Sequence, residues 1–270
     1  MIEEGKSPLI DRISMLTAVI LLAYAVARIV RAPELALTIL LPGFYFVYPL
    51  SISAAISVMA AGLTATGMDW IIRSHPALEK RQTTEHWMLP ALTAFIIGAP
   101  LSIFPNGAVW WLGFAFGAIL LALVFMAEYV VVDPTASNYA IARAGLTSLS
   151  YALFFILVIS SRLAELRLFL LLPALLLAAG LISLRILHLD GADRWDFPWA
   201  IGIGIISVQL GAGLHYWPLT PIQYGLALTG PLYALTMLST NITEGIPVWR
   251  AAATPGIILA LAWVTAIFLH

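Results

Sequence analysis

Residues 108–132 of the chain read AVWWLGFAFGAILLALVFMAEYVVV, and Glu128 is the one charged side chain among them. An α-helix needs about 20 predominantly apolar residues to cross the hydrocarbon core of a bilayer, so this stretch is long enough to span a membrane. The turn-forming residues Pro105-Asn106-Gly107 precede it and Asp133 follows it. The stretch therefore predicts a transmembrane helix.

The same pattern continues in both directions along the chain. Apolar runs between charged or turn-forming breaks occur at 13–32, 44–68, 87–104, 108–132, 139–160, 166–188, 197–217, 222–241 and 251–269. Of the 270 residues, 61% are hydrophobic and only 10% are charged, and the mean hydropathy is +0.98. Because an ordinary soluble domain has roughly 25% charged residues, a soluble fold is excluded. The sequence predicts an all-α polytopic transmembrane helical bundle of about nine spans, within a range of roughly eight to ten, that forms a single integral membrane domain over residues 1–270.

The second hydrophobic segment is too long for one straight span. Leu35 to Met68 contains no charged residue and would form a helix of about 51 Å, against a hydrocarbon core of about 30 Å. Pro42-Gly43 and Pro49 break it. We expect a kinked long helix with an interfacial lead-in. The alternatives are a half-helix over Leu35–Leu41 that dips into the bundle, as in some transporters, and a tenth span over residues 35–48 that would reverse the side of the N-terminus.

Lysine and arginine are distributed unequally between the two sides of the predicted bundle. With nine spans, one side carries nine basic residues and the other carries Arg28, Arg31, Arg162 and Arg167. The richer side contains Lys6, Arg12, Arg73, Lys80, Arg81, Arg143, Arg185, Arg194 and Arg250. Because loops rich in Lys and Arg stay in the cytoplasm, the loops 69–86, 133–138, 189–196 and 242–250 are predicted to be cytoplasmic. We expect a multi-pass protein of a prokaryotic-type cytoplasmic (cell inner) membrane.

Tryptophan and glycine mark the ends of the predicted helices and the contacts between them. Eight of the nine tryptophans lie at span ends, as expected for the headgroup level, and only Trp263 lies inside a span. Three pairs of glycines predict surfaces where helices approach closely. These pairs are Gly113/Gly117, Gly202/Gly204 and Gly211/Gly213.

Several classes of function are excluded by what the sequence lacks. The chain has no cysteine, which excludes disulfides, thiolate metal sites and thiol nucleophiles. The only lysines are Lys6 and Lys80, both outside the spans, so the bundle offers no amine for a retinal Schiff base. The net charge of −1, without a basic block, argues against nucleic acid as a partner. The usual signatures of serine hydrolases, phosphate-loop ATPases and zinc proteases are also missing.

Three carboxylates lie close together in the loop between the sixth and seventh predicted spans: Asp190, Asp193 and Asp196. Carboxylate oxygens at such a spacing suit Mg²⁺ that bridges to a diphosphate. The alternative is a solvated turn, because Asp190-Gly191 is a strong turn pair and Asp196 is placed to cap the seventh helix.

This arrangement of spans and polar loops resembles that of the intramembrane aromatic prenyltransferases, whose aspartate-rich motifs occupy the loops after the second and sixth spans. Here the first of these loops contains Asp69, Glu79 and Glu85, and the second has the spacing Asp-x-x-Asp-x-x-Asp. Neither loop has the family's own motif, so the resemblance is one of layout. It implies a transferase that uses Asp190, Asp193 and a base in the first loop.

Two histidines are predicted at the cytoplasmic boundary of the bundle. His86 begins the third span and His188 ends the sixth. If the two met across the bundle, they would be candidate ligands of a haem or a metal. The alternative is that both are polar residues at the headgroup level.

Polar residues within the spans are further candidates for ligand binding, because burying a charge in hydrocarbon is expensive. Glu128 lies about one turn inside the end of the fourth span, and Arg143 follows across a short turn. A Glu128–Arg143 pair would gate or bind a polar headgroup, and the alternative is a structural ion pair or snorkelling. Gln209 lies near the middle of the seventh span, where it lines a cavity or bonds to a neighbouring helix.

Three functions agree with these observations. The first is a carrier or transporter that handles lipids or small molecules, the second is the membrane-embedded transferase, and the third is a noncatalytic subunit or scaffold. The absence of motifs weighs more against an enzyme than against a carrier. The expected partners are membrane lipids, a lipid or small-molecule ligand and another membrane protein. No catalytic residue, metal ligand or cofactor is assigned from the sequence.

Overall fold

The computed structural model describes residues 6–29, 35–41, 44–50, 52–78, 82–190 and 195–269. These residues form ten helices, one two-stranded hairpin and a 3-10 turn at Pro76–Leu78. The helices are α1 (Lys6–Ile29), α2 (Ile52–Ile72), α3 (Glu85–Ile103), α4 (Ala108–Val131), α5 (Tyr139–Leu163), α6 (Leu168–Asp190), α7 (Phe197–His215), α8 (Pro221–Thr243), α9 (Val248–Ala251) and α10 (Ala253–Phe268). The hairpin consists of β1 (Leu35–Leu41) and β2 (Phe44–Leu50).

The predicted helical membrane bundle is confirmed. Among the described residues, eight helices are long and apolar enough to cross a membrane: α1 to α7, and α9 with α10 as one span over Val248–Phe268. The ninth predicted span is α8, which is less apolar because it carries the buried polar residues Gln223, Thr236 and Ser239. A helix that is surrounded by protein needs fewer apolar side chains than one that faces lipid. The chain is therefore a multi-pass membrane protein.

The expectation of a kinked helix over the second hydrophobic segment is wrong. Residues Leu35–Leu41 and Phe44–Leu50 form antiparallel strands, with Leu35 opposite Leu50 and Leu41 opposite Phe44. The half-helix over Leu35–Leu41 and a helical span over residues 35–48 are wrong for the same reason. The segment 44–50 is rich in aromatic residues, which favour strands, and a Pro-Gly pair between two apolar runs is a hairpin signal as well as a helix break. The second helix begins at Ile52.

The chain divides into two compact units, which we call unit 1 (Met1–Ala136) and unit 2 (Ser137–His270). In unit 1, α1 packs on α2 and α4, α3 packs on α4, and the most extensive contact is between α2 and α3. In unit 2, α5 to α8 pack in the same order, the most extensive contact is between α6 and α7, and α10 covers α8. A membrane domain can contain two such units, so the single domain over residues 1–270 stays a prediction.

Two prolines in unit 2 leave carbonyl groups that side chains from neighbouring helices satisfy. A proline inside a helix has no N–H to donate to the carbonyl four residues earlier. Opposite Pro231, the Ala227 carbonyl accepts a hydrogen bond from Trp263 Nε1 at 3.2 Å. This bond explains why Trp263 lies inside a span instead of at its end. Likewise, the Ala251 carbonyl receives no hydrogen bond from Pro255, which has no N–H, and instead accepts one from Asn241 Nδ2 at 3.1 Å.

Close helix packing is found at four of the six glycines that the sequence singled out. A Cβ atom added at Gly117, Gly204 or Gly211 would lie 2.4–3.1 Å from a side chain of another helix, and one added at Gly113 would lie 2.6 Å from Phe104, the residue after α3. At Gly202 and Gly213 an added Cβ atom would meet no atom within 4 Å. The first four are therefore sites where helices approach closely, and the last two are not.

Candidate functional site

Arg143 and Asp190 form an ion pair in unit 2. Arg143 lies in the first turns of α5, and Asp190 is the last residue of α6. Nη2 of Arg143 is 2.5 Å from Oδ1 of Asp190, and Nε of Arg143 donates to the same oxygen at 3.2 Å. Thr240 on α8 lies at 3.5 Å from the other carboxylate oxygen. Three helices of unit 2 thus place polar groups at one point.

A cavity of about 460 Å³ opens beside this pair. We call it the Arg143 cavity, and Tyr139, Ala140, Arg143, Ala144, Thr147, Ser148, Tyr151, Asp190 and Tyr233 line it. The hydroxyl groups of Tyr151 and Thr236 are hydrogen bonded, and the Tyr151 and Tyr233 rings lie 5.1 Å apart. The side chains of Arg143 and Asp190 are 39% and 21% exposed, so a ligand in the cavity can reach both charges.

The helix period explains how α5 builds one wall of this cavity. Arg143, Thr147 and Tyr151 follow one another at intervals of four residues, which places them on one face of a helix. Arg143 and Asp190 are both sequence candidates, and the structure brings them together. The three tyrosines were missed by the sequence analysis, although the spacing of Tyr151 from Arg143 was a signal for one of them.

Glu128 has a different partner from the one expected. Its Oε2 lies 2.8 Å from Nδ1 of His86, within unit 1, while Arg143 is paired with Asp190 in unit 2. His86 is the second residue of α3, and its Nε2 lies 3.1 Å from Oε1 of Glu85. The His86 and Glu128 side chains are 4% and 0% exposed. The structure therefore joins two sequence candidates in a buried imidazole–carboxylate pair.

The surface near α3 and α4 of unit 1 is also rich in polar contacts. The rings of His75 and Tyr129 are 4.4 Å apart, and Thr135 donates to the Asp133 carboxylate through its backbone N–H at 2.9 Å and its hydroxyl at 2.6 Å. These bonds hold the pKa of Asp133 below its ordinary value. Burial lowers the pKa of His75, against the opposing charge of Asp133. His75 therefore stays neutral to lower pH than a histidine in water.

The other sequence candidates lie apart from the Arg143 cavity or outside the described residues. His188 is buried in unit 2 and its ring stacks on Trp195 at 4.5 Å. Gln209 is exposed on α7. Asp193 lies outside the described residues. Within the described ranges, no three His, Asp or Glu side chains converge in a way that would hold a metal ion.

Comparison with known proteins gives a family but no activity. Residues 31–269 match the family described as protein of unknown function (DUF5656), and the chain belongs to this family. A search of curated proteins and a search of solved structures found no match.

Proposed function

We propose that this member of the DUF5656 family is a lipid-handling protein of the cytoplasmic membrane that binds a zwitterionic phospholipid headgroup in the Arg143 cavity. The observation that carries the proposal is an ion pair that opens into a cavity lined by three tyrosines. The ligand has two charges of opposite sign, a phosphate and an ammonium group. Carrier activity on such a lipid is the corresponding cellular role.

The cationic side of the cavity suits the phosphate. A guanidinium group presents five N–H donors in a planar fork that matches phosphate oxygens. Both nitrogens that contact Asp190 lie on the Nε–Nη2 edge of Arg143, so the Nη1 end remains for a ligand. Hydrogen bonds between charged groups are roughly twice as strong as neutral ones.

The carboxylate and the aromatic rings of the cavity suit the ammonium group. Asp190 supplies a carboxylate, and the rings of Tyr139, Tyr151 and Tyr233 supply the π-faces that attract an alkylammonium ion. Because the Arg143–Asp190 pair is neutral as a whole, a zwitterion leaves no net charge uncompensated when it binds beside the pair. A purely anionic headgroup would be repelled by the Asp190 carboxylate.

The level of the cavity in the bundle also suits a headgroup. Arg143 lies near the beginning of its helix and Asp190 at the end of its helix, so both are at the boundary between the hydrocarbon and the polar region. The positive-inside distribution predicts that this boundary faces the cytoplasm. A phospholipid in that leaflet can place its headgroup in the cavity while its tails stay in the bilayer.

Lipid titration of the purified protein tests this proposal. We expect Arg143→Gln to weaken binding of phosphatidylethanolamine by about tenfold or more, because a hydrogen bond to a charged group contributes about 1.5–3 kcal/mol. Native mass spectrometry of the protein in lipid nanodiscs measures the bound lipid. Arg250→Gln is the matched control, because Arg250 is an exposed arginine on the side predicted to be cytoplasmic and does not line the cavity.

Unchanged lipid binding by Arg143→Gln would overturn the proposal. An equal loss in Arg250→Gln would also overturn it, because the effect would then come from general attraction to lipid and not from the cavity. Preference for phosphatidylethanolamine over phosphatidylglycerol is expected to disappear in Asp190→Asn, which removes the partner of the ammonium group.

A further inference from the structure

Unit 2 has a second large cavity near the end of α5. It has a volume of about 520 Å³ and we call it the Arg162 cavity. Its lining residues are Ser161, Arg162, Leu163, Glu165, Leu166, Leu171, His215, Pro221 and Tyr224. Like the Arg143 cavity, it combines an arginine, a carboxylate and a tyrosine.

The arginine of this cavity is held in place by carbonyl groups. Nη1 of Arg162 donates to the His215 carbonyl at 2.7 Å, and Nη2 donates to the Trp217 carbonyl at 3.0 Å. The guanidinium group also lies 5.3 Å from the centre of the Tyr224 ring. These contacts fix the position of Arg162 and end α7, but carbonyls carry only partial charges. The guanidinium group therefore keeps its positive charge for an anionic ligand.

One further group in the Arg162 cavity is available to a ligand. Glu165 is exposed in the short connection between α5 and α6, with a positive φ of 49°. His215 also lines the cavity, but its Nδ1 is shielded from solvent, so a ligand does not reach this atom directly. The cavity thus offers partners for a phosphate and for an ammonium group.

The distance along α5 relates the two cavities to the two leaflets of a bilayer. At a rise of about 1.5 Å per residue, the helix from Arg143 to Arg162 extends about 28 Å. The hydrocarbon core of a bilayer is about 30 Å thick. When Arg143 lies at one headgroup level, Arg162 therefore lies close to the other.

We infer that the Arg162 cavity is a second site for a zwitterionic phospholipid headgroup, in the leaflet opposite to that of the Arg143 cavity. The choice of ligand class rests on the proposed function, because it extends the same chemistry to a second place. Unit 2 then binds one lipid from each leaflet.

The two sites are separate because α5 and α8 are in close contact between them. A Cβ atom added at Gly225 on α8 would lie 2.6 Å from Phe155 and 3.0 Å from Ile159 on α5. Along α8, Gly225 lies between Tyr233, which lines the Arg143 cavity, and Tyr224, which lines the Arg162 cavity. Removing a ligand group from one cavity should therefore leave the other site intact.

Glu165→Gln tests the second site without disturbing the fold. Glu165 is exposed, whereas Arg162 is needed to end α7 and is left unchanged. We expect the wild-type protein in nanodiscs to bind two phosphatidylethanolamine molecules per chain. Glu165→Gln should bind one, because its affinity for the second molecule is expected to be at least tenfold weaker than that of the wild-type protein. The matched control is Glu244→Gln, which changes an exposed glutamate at the C-terminal end of α8 that lines neither cavity.

The variants separate failure of this inference from failure of the proposed function. If Glu165→Gln still binds two lipids with wild-type affinity while Arg143→Gln binds one, the second site is overturned and the first is supported. If Glu165→Gln binds one lipid and Arg143→Gln binds two, the second site is supported and the first is overturned. Displacement of both lipids by soluble phosphoethanolamine, at the concentration of lipid that saturates the sites, would assign them to a free metabolite and overturn the lipid assignment.

Discussion

The two units of this protein pack their helices in the same order but place their charged pairs differently. In unit 1, His86 and Glu128 are 4% and 0% exposed, whereas in unit 2 Arg143 and Asp190 are 39% and 21% exposed. The pair in unit 2 opens into a cavity of about 460 Å³. The comparison therefore contrasts a pair that is closed to solvent in unit 1 with a pair that is open to a cavity in unit 2.

A shared feature shows that the difference is local. In unit 1, Arg28 on α1 donates to the Phe104 carbonyl at the end of α3 at 3.0 Å. In unit 2, Arg162 on α5 donates to the His215 carbonyl at the end of α7 at 2.7 Å. In both units the first helix therefore supplies an arginine that donates to a carbonyl at the C-terminal end of the third helix, where the helix dipole favours a cation. The units differ in their charged pairs and not in this packing.

The largest expected effect is the loss of the buried pair in unit 1. Glu128→Ala removes the carboxylate that accepts from His86, and breaking a buried pair typically costs about 3–5 kcal/mol. Reversible unfolding of the purified protein in mixed detergent micelles measures the change. Glu128→Gln should cost less, because its amide oxygen can still accept a hydrogen bond from Nδ1 of His86.

The matched variant in unit 2 is Asp190→Ala. Because the Arg143–Asp190 pair is partly exposed, its loss should change the free energy of unfolding by only about 0–1 kcal/mol. Equal costs for Glu128→Ala and Asp190→Ala would break the comparison between the two units.

A second, smaller effect tests whether the packing of the two units is equivalent. In unit 1, Gly117→Ala adds a Cβ atom 2.8 Å from the side chain of Ile97 on α3. In unit 2, Gly225→Ala adds a Cβ atom 2.6 Å from the side chain of Phe155 on α5. Overpacking of this kind costs about 1–3 kcal/mol, and we expect similar losses of thermal stability in both variants. Gly62→Ala and Gly213→Ala are the controls in units 1 and 2, because an added Cβ atom there meets no atom within 4 Å. A control that loses as much stability as its partner would exclude close packing as the cause.

The sequence predicts the helices well because hydrophobic length alone determines them, but it does not predict which helix faces pack together. All nine predicted spans contain a helix, yet Leu35–Leu41 and Phe44–Leu50 form paired strands, and a Pro-Gly pair in a sequence is a turn signal as much as a helix break. Arg143 and Asp190 were candidates for separate roles, since their distance in the sequence carries no information about contact. Glu128 could be identified as an unusual charge, but its partner His86 depends on how α3 packs against α4.

The smallest expected effect is a pH dependence at the surface of unit 1, outside the buried pair. Burial holds the pKa of His75 below its ordinary value of 6.5, so the unfolded chain binds more protons than the folded protein as the pH falls through that value. Stability is therefore fully present above the unfolded pKa and decreases toward lower pH. Since the ring is partly in solvent, screening limits the loss to less than about 1 kcal/mol.

Unfolding of His75→Gln between about pH 7.5 and 5.5 should give a flatter stability curve than the wild-type protein, because this variant has no imidazole to protonate. Asp133→Asn should have the opposite effect, since the Asp133 charge raises the pKa of His75 and its removal lowers that pKa further. The Asp133 carboxylate itself titrates below 3.8, outside this range, so it adds no slope of its own. If both variants follow the wild-type curve, the pH dependence does not come from His75 and this prediction is wrong.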